Sequence, residues 1–253
     1  MTCERMAKGE SLLHLADPRV KIIAALVLSL ELVFLECLLA LIIALLCAIL
    51  MLLITDIDKR LLAKRLAIVN VFLVFLWLVI PISTPGDSIF RWGPLNITDR
   101  GVFLCTLITV KCNAIVMFNI ALLSTSSIFS LAHALDHLKV PPVLVQLFFF
   151  SWRYLHVLEE EYARIKRAAL LRGFQPGSNL LTYKTYANIL GTLFVRSYDR
   201  GQRVYWAMVC RGFNGTFWLL SHFELKPRDF FLILWTLVLA SSLIFLQWSM
   251  NCH

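Results

Sequence analysis

Long apolar runs alternate with short charged segments along the chain, and this pattern predicts its elements. Asp17 before Pro18 predicts the start of a first helix, with Asp as the N-cap. Residues 22–54 are then apolar apart from Ser29, Glu31 and Glu36. One helix of that length would measure about 50 Å, whereas the hydrocarbon core of a bilayer is about 30 Å thick. The run therefore predicts two short antiparallel spans that turn near Glu36.

Three further apolar runs predict three more membrane crossings. They cover residues 66–83, about 101–123 and 230–248. Prolines and glycines between positions 81 and 94 predict an irregular external loop after the first of these runs. Basic residues on both sides of the 22–54 run place its two ends at the cytoplasmic face. With about five crossings, the amino terminus is expected inside and the carboxyl terminus outside.

The charged segment between the last two crossings is predicted to be cytoplasmic. Residues 136–228 hold 13 of the 24 basic residues and six of the 16 acidic residues. Their apolar stretch, 140–152, would be about 20 Å long as a helix, so it is expected under the bundle or in the membrane interface. The predicted organisation is a cytoplasmic amino terminus (1–21), a four-helix membrane part (22–123), a cytoplasmic region (124–228) and a last membrane helix (229–253).

Two segments of this cytoplasmic region have the periodicity of amphipathic helices. The apolar face of the first is predicted to consist of Leu158, Tyr162, Ile165 and Ala169. The apolar face of the second is predicted to consist of Phe194, Tyr198, Gly201, Tyr205 and Met208. Both segments end in Arg-Gly-Phe, at residues 172–174 and 211–213. Because glycine suits the left-handed position just after a helix, Gly173 and Gly212 predict that both helices end there.

Arg172 and Arg211 occupy matching places at these predicted helix ends, 39 residues apart. A single arginine there would be explained by its interaction with the helix dipole, which contributes about 0.3–1 kcal/mol. Two matched pairs, each followed by phenylalanine, favour another interpretation. In that interpretation each guanidinium group binds a carboxylate of a partner protein through two parallel hydrogen bonds, which lysine could not reproduce.

Composition supports an integral membrane protein. Hydrophobic residues make up 59% of the chain and charged residues 16%, which departs from the usage of aqueous globular proteins. The net charge of +8 comes from basic residues between apolar spans, which indicates a cytoplasmic membrane face and not nucleic-acid binding. The seven cysteines include no Cys-x-x-Cys pair and are interpreted as small apolar residues. The predicted fold class is an all-α integral membrane protein with about five transmembrane helices and two long amphipathic cytoplasmic helices.

Longer stretches accompany the two Arg-Gly pairs: Ser11-Leu-Leu-His-Leu-Ala-Asp-Pro-Arg-Val-Lys21, Ala134-Leu-Asp-His-Leu-Lys-Val-Pro-Pro142, Arg153-Tyr154-Leu155 and Leu193-Phe-Val-Arg-Ser-Tyr-Asp-Arg-Gly-Gln-Arg-Val-Tyr205. With these stretches the chain resembles the transmembrane (T) component of energy-coupling-factor (ECF) transporters, of the CbiQ type that serves cobalt uptake. The pairs match the two Ala-Arg-Gly signatures of that family, except that Leu171 and Cys210 replace the alanines.

The resemblance implies a scaffold whose two coupling helices dock into ABC-type ATPase subunits. The docking residues would be Arg172, Gly173, Arg211 and Gly212, and the coupling helices would be supported by Arg153, Arg164, Arg200 and Arg203. Further implied partners are a membrane-embedded metal-binding substrate subunit, a small accessory membrane subunit and membrane lipid. The expected location is the inner membrane of a bacterium or archaeon. The implied cargo is cobalt, with nickel or another cargo as the alternative.

Catalysis, a cofactor and a resident metal site are not predicted. The chain has no Gly-x-x-x-x-Gly-Lys-Ser/Thr phosphate loop, so ATP hydrolysis is expected in the partner subunits. His133 and His137 are four residues apart, but without further ligands they are interpreted as part of a solvated helix surface.

Lys111 lies within an apolar run, where a charge is costly unless it is paired or functional. It is expected to reach the outer interface, to pair with Glu31 or Glu36, or to have a transport function, and the sequence leaves these alternatives open. The last of them would fit a stand-alone secondary transporter.

Overall fold

The computed structural model describes residues 16–55, 59–85, 88–92, 95–138, 140–215 and 227–249. The chain divides into two compact units. The first, here called the membrane unit, comprises Met1–Ala134 and Phe223–His253. The second comprises Leu135–His222 and is here called the coupling unit, after the role that the resemblance implies for its helices. Most of the cytoplasmic amino terminus expected at 1–21, including the start of the Ser11–Lys21 stretch, lies outside the described residues.

The membrane unit contains five long helices among its described residues, namely α1 (Pro18–Phe34), α2 (Leu38–Ile54), α3 (Lys59–Ser83), α4 (Asp99–Leu123) and α8 (Pro227–Ser249). The helix start predicted at Asp17 is confirmed, because its carboxylate accepts a hydrogen bond from the backbone N–H of Arg19 at 2.9 Å. The break near Glu36 is also confirmed, since three residues separate α1 from α2.

Three of these helices are long and apolar enough to cross a membrane, and they span Lys59–Ser83, Asp99–Leu123 and Asp229–Ser249. Helix α2 is equally apolar but has 17 residues, about 25 Å of helix. The prediction of an all-α membrane protein is confirmed.

Helix α4 lies at the centre of the membrane unit and packs against α1, α2 and α3. Small residues line the contacts, and the most deeply buried of them are Ala24, Ala25, Ala40, Ala44, Ala48, Ala114 and Ala121. Helix α8 packs against α1 and α2. Small side chains let helix backbones approach closely, which is how membrane helices associate when lipid tails are as apolar as the protein core.

The loop predicted to be irregular contains a β-hairpin, so that prediction is wrong. Strands β1 (Ser88–Trp92) and β2 (Leu95–Thr98) pair in antiparallel fashion. The hydroxyl of Thr98 lies 2.9 Å from the carbonyl oxygen of Pro81 and 2.7 Å from that of Thr84, which fastens β2 to the end of α3. The prediction rested on the prolines and glycines between positions 81 and 94. It did not take into account the β-propensity of the Ser-Ile-Phe-Arg-Trp stretch that lies among them.

Three polar residues within the apolar runs of the membrane unit hydrogen-bond to neighbouring helices. Lys111 on α4 donates to the carbonyl oxygen of Val33 at 2.8 Å, and so satisfies a free carbonyl in the last turn of α1. Asn70 on α3 and Asn113 on α4 exchange two amide hydrogen bonds of 3.1 and 3.2 Å. Among the described residues, no ion pair joins Lys111 to Glu31, whose carboxylate oxygens are buried within the unit.

The coupling unit is built mainly from two 30-residue helices, α6 (Pro142–Leu171) and α7 (Leu180–Val209). The short helix α5 (Ile128–His137) begins in the membrane unit and leads into it. Residues 142–152 of the apolar stretch and the first amphipathic segment form one continuous helix. Pro142 does not interrupt it, because it stands at the first helical position, where a missing N–H costs nothing.

Candidate functional site

Both coupling helices end in the same hydrogen-bonded motif at the Arg-Gly-Phe tripeptide. At the end of α6, Gly173 N–H donates to the carbonyl of Leu170 at 3.0 Å and Phe174 N–H donates to that of Ala169 at 3.2 Å. At the end of α7, Gly212 N–H donates to the carbonyl of Val209 at 2.9 Å and Phe213 N–H to that of Met208 at 3.1 Å. Each pair of bonds is a Schellman motif, which satisfies the last helical carbonyls.

The glycine of each motif has a left-handed backbone conformation. The φ angles are +84° at Gly173 and +83° at Gly212. A Cβ atom built on either residue would meet nothing within 4 Å. The backbone angle, and not a lack of space, is therefore what favours glycine at both positions. The helix ends predicted from these two glycines are confirmed.

The residues on either side of the two glycines are placed alike. Arg172 is the exposed C-cap of α6, and Arg211 is the exposed residue directly after Cys210, the C-cap of α7. Phe174 and Phe213 are half-buried. The phenylalanine thus turns back towards the coupling unit and the arginine stays available to solvent. Each helix end presents one guanidinium group on a fixed backbone, which is an arrangement suited to binding a carboxylate. We refer to residues 172–174 and 211–213 as the two arginine tips.

The two arginine tips differ in the contacts that hold them. Phe174 packs edge-on against Tyr186 of α7, with ring centroids 5.6 Å apart. After the second tip, the carbonyl of Gly215 accepts a hydrogen bond from the side-chain amide of Gln146 at 2.8 Å. The first tip is therefore held by an aromatic contact with the neighbouring helix, and the segment after the second tip by a polar one.

A charge cluster joins α6 to α7. The Glu161 carboxylate is largely buried, accepts a short hydrogen bond from Arg196 and lies 3.5 Å from the guanidinium group of Arg164. The hydrogen bond from Arg196 holds the pKa of Glu161 below its usual value of 4.5, and the positive charges of Arg164, Arg196 and Arg200 act in the same direction. A buried carboxylate with two arginine partners fixes the contact between the helices at this level.

The four arginines predicted to support the coupling helices are in different environments. Arg164 pairs with Glu161, Arg200 is half-buried, and Arg153 and Arg203 are exposed. A hydrogen-bonded ion pair between the helices is instead made by Glu161 and Arg196, whose pairing was not predicted. The sequence does carry a signal for Glu161, because it lies three residues after Leu158 and four before Ile165, on the apolar face of its helix.

The predicted apolar face of α6 is confirmed, since Leu158, Tyr162, Ile165 and Ala169 are all partly buried. The predicted face of α7 is wrong. Phe194, Tyr198 and Tyr205 are 76%, 68% and 51% exposed, and only Met208 of that stripe is partly buried. The packed face lies one residue earlier and consists of Ile189, Leu193, Ser197, Arg200 and Val204. It escaped prediction because Ser197 and Arg200 make it look polar.

A groove of about 540 Å³ runs between the two coupling helices. Its walls are formed from α6 by Leu147, Phe150, Tyr154 and Leu158, and from α7 by Val204, Tyr205 and Met208. Tyr205 and Met208 were placed on the predicted stripe, so part of that stripe faces the groove. An open groove therefore separates the two coupling helices at this level.

The interpretation of the two histidines on α5 is only partly right. His133 is 4% exposed, so it does not belong to a solvated helix surface, whereas His137 is exposed. His133 is buried together with Ala132 and Ala134, in the part of α5 that belongs to the membrane unit. Among the described residues there is no group of three or more metal-ligating side chains.

Comparison with known proteins gives matches along most of the chain. The model of the family CbiQ, cobalt transport protein, matches residues 9–219, which include both arginine tips. The energy-coupling factor transporter transmembrane protein EcfT of Ruminiclostridium cellulolyticum is 24% identical over 226 residues, 85% of each chain. EcfT of Heliobacterium modesticaldum is 27% identical over 216 residues, 81% of each chain. An uncharacterized protein of Methanocaldococcus jannaschii is 25% identical over 169 residues, which are 64% of this chain and 56% of that protein.

Proposed function

Because the chain belongs to the CbiQ cobalt transport protein family and is a transmembrane component of an energy-coupling-factor transporter, we propose that it couples ATP hydrolysis by separate ATPase subunits to the import of cobalt ions. The chain itself acts as a non-catalytic scaffold. Its membrane unit holds a substrate-binding membrane subunit, with or without a small accessory subunit, and its coupling unit binds the ATPases.

The observation that carries this proposal is the pair of matched arginine tips. Arg172 and Arg211 are exposed at two helix ends that share one backbone motif and one flanking phenylalanine. Two equivalent tips suit two equivalent partners, such as a pair of ATPase subunits. Each guanidinium group would bind an acidic groove on its ATPase, where a desolvated charge pair contributes strongly to affinity.

The contacts between α6 and α7 would allow the two helices to transmit a displacement of the arginine tips to the membrane unit. The Glu161–Arg196 pair and the edge-on Phe174–Tyr186 contact link α6 to α7 at separate levels. When the ATPases close on ATP, the tips move with them, and linked helices would pass this displacement on instead of bending independently. The displacement would then reorient the substrate-binding subunit in the membrane.

Cobalt as the cargo, the bacterial or archaeal inner membrane and a cytoplasmic amino terminus are parts of the same proposal. The family description supports cobalt, and the basic residues that flank the apolar runs support the orientation. Nickel is the alternative cargo, because its divalent ion has similar ligand preferences.

The test is cobalt uptake by the assembled transporter in liposomes that contain ATP. We expect the wild-type complex to accumulate labelled Co²⁺, and the chain alone to accumulate none. Arg172→Ala combined with Arg211→Ala should reduce uptake to the level of the chain alone and remove the ATPases from the purified complex. Normal uptake by the double variant would contradict the proposal, and accumulation by the chain alone would indicate a stand-alone transporter.

A further inference from the structure

A cluster of buried polar side chains lies in the membrane unit and has no part in the arginine tips. It consists of Asp17, Lys21, Ser126 and Asp229, and Lys21 is completely buried. We call these four residues the polar cluster. A buried ammonium group is costly unless it is paired and hydrogen-bonded, so the contacts of Lys21 require an explanation.

The contacts of the polar cluster connect three separate parts of the chain. Lys21 donates from its ammonium group to the hydroxyl of Ser126 at 2.8 Å. The backbone N–H of Asp17 donates to the carboxylate of Asp229 at 2.7 Å. The negative charges of Asp229 and Asp17 both act on Lys21. One cation and two carboxylates thus share a buried site to which the start of α1, the 124–127 turn and the start of α8 all contribute.

The positions of Ser126 and Asp229 in the chain give this cluster its significance. Ser126 lies in the turn between α4 and α5, and α5 leads from the membrane unit into the coupling unit at Leu135. Asp229 lies in the first turn of α8, after the chain has returned from the coupling unit at His222. The segment 17–21 therefore contacts both of the chain's connections between the two units.

The outgoing connection is further fixed by its own hydrogen bonds. Thr125 donates to the carbonyl of Leu122 at 2.9 Å, and Ser126 N–H donates to that of Leu123 at 3.2 Å. A purely stabilising role for Lys21 is a weak explanation, because buried ion pairs can often be replaced by apolar residues without loss of stability. The hydrogen bonds from Lys21 to Ser126 and from Asp17 to Asp229 are directional. They therefore fix the positions of both connections relative to the start of α1.

We propose that the segment 17–21, through Lys21 and Asp17, is a clamp that fixes both connections of the coupling unit to the first membrane helix, so that displacement of the coupling helices reaches the membrane helices. This role rests on the proposed function. Lys21 is a positioning residue, since it is completely buried in the membrane unit and acts through Ser126. The clamp predicts that its loss separates ATP hydrolysis from import while the ATPases stay bound.

The first experiment measures amide hydrogen exchange in the purified full-length chain in lipid nanodiscs. Lys21→Met removes the hydrogen bond to Ser126 and the positive charge beside Asp229. It should accelerate exchange at the 124–127 turn by about tenfold to a hundredfold, as expected for a lost hydrogen bond to a charged group, and should also accelerate exchange at the first turn of α8. Asn113→Ala is the matched control, because it removes a hydrogen bond between α3 and α4 in the same unit. It should leave both connections unchanged.

The second experiment measures Co²⁺ imported per ATP hydrolysed by the assembled transporter. Lys21→Met should retain ATPase binding and lower this ratio about tenfold or more, whereas Asn113→Ala should leave it at the wild-type value. Should Lys21→Met fail to accumulate in the membrane, Ser126→Ala removes the hydroxyl alone and should accelerate exchange only at the 124–127 turn.

The two proposals fail in different ways. Unchanged exchange at both connections in Lys21→Met, or in Ser126→Ala at its turn, would overturn the clamp even if the wild-type complex imports cobalt. A wild-type ratio of import to hydrolysis in Lys21→Met would overturn it as well. A wild-type complex without uptake would contradict the proposed function, and the exchange experiment would still decide whether the segment 17–21 ties the two connections together.

Discussion

The two arginine tips have the same backbone geometry but different support. Both end in a Schellman motif with a glycine near φ +84°, and both present an exposed arginine. Behind the first tip, Phe174 packs on Tyr186 of the other coupling helix, whereas the segment that follows the second tip is held by Gln146. A common type of partner would recognise the shared feature, which is the exposed arginine on its Schellman motif. The supporting contacts differ between the tips, so a change to one of these contacts should affect one tip at a time.

Charge reversal at either tip should have the largest effect. Arg172→Glu or Arg211→Glu would place a carboxylate opposite the acidic groove proposed on the ATPase. We expect either change alone to lower ATPase affinity at least about thirtyfold, the low end for breaking a buried charge pair, and to leave membrane insertion intact. Titration of the ATPase onto the chain in nanodiscs measures this. A large loss at one tip with none at the other would show that the tips are not equivalent.

Loss of the Glu161 charge should have a smaller effect than charge reversal at a tip, and should act on the contact between the two helices. Glu161→Gln removes the charge that pairs with Arg196 and Arg164 and should loosen the contact between α6 and α7. Amide exchange in the middle of both helices should rise by about tenfold. Exposed Glu159 offers the control, since Glu159→Gln leaves the link between the helices intact. Equal exchange in the two variants would mean that the cluster does not hold the helices together.

The same cluster predicts a pH dependence. Because the folded-state pKa of Glu161 is lowered from 4.5, its stabilisation is complete above that pH and is lost as the pH falls through the lowered value. Protection of the α6–α7 contact should therefore be constant near neutral pH and decrease below about 4.5. In Glu161→Gln this decrease should be absent, and a decrease of the same size in both proteins would assign it to other carboxylates.

Alanine at the tip glycines should have a smaller and equal effect at the two ends. Gly173→Ala and Gly212→Ala place a Cβ in the left-handed region, which costs about 1–2 kcal/mol. Amide exchange at the last turn of the affected helix should rise, with the other helix unchanged. Gly177→Ala is the control in the same loop, because Gly177 lacks a left-handed φ angle and has only a distant neighbour at 3.9 Å. An equal response in that control would argue against backbone strain.

The smallest effect is expected from a substitution in the support of the first tip, and it should appear at that tip only. Phe174→Leu loses the edge-on contact with Tyr186, worth about 0.5–1.5 kcal/mol beyond buried area. Exchange should rise at the end of α6 and stay constant at the end of α7. Exposed Tyr183, one turn before Tyr186, provides a control in Tyr183→Leu. A response at both tips would show that their supports are coupled.

The parts of the fold that depend on local signals were predictable from the sequence. Apolar length predicted the membrane helices, Asp17 with Pro18 predicted the start of α1, and the two Arg-Gly pairs predicted the helix ends. The caps and the glycines at positive φ act on a few neighbouring residues. The membrane helices depend only on the length of one continuous apolar segment relative to the thickness of a bilayer. Such signals do not depend on what packs against the helix.

The parts that depend on distant partners were missed or misplaced. The packed face of α7 includes Ser197 and Arg200, and hydrophobicity alone assigned that role to the exposed Phe194 and Tyr198. Lys21 and Asp229 lie more than 200 residues apart, so nothing local connects them. Buried polar residues are recognisable only when their partners are known, which is why the polar cluster needed the structure.

The most direct measurement of the central claim is the affinity of the ATPase subunits for the chain in nanodiscs, with two double variants compared. Arg172→Glu with Arg211→Glu changes both tips, and Arg167→Glu with Lys184→Glu changes the same total charge at exposed positions on the same two helices. We predict that the tip variant shows no measurable binding while the control binds within about threefold of the wild type, as expected for exposed charges. Equal affinities of the two variants would contradict docking through the arginine tips.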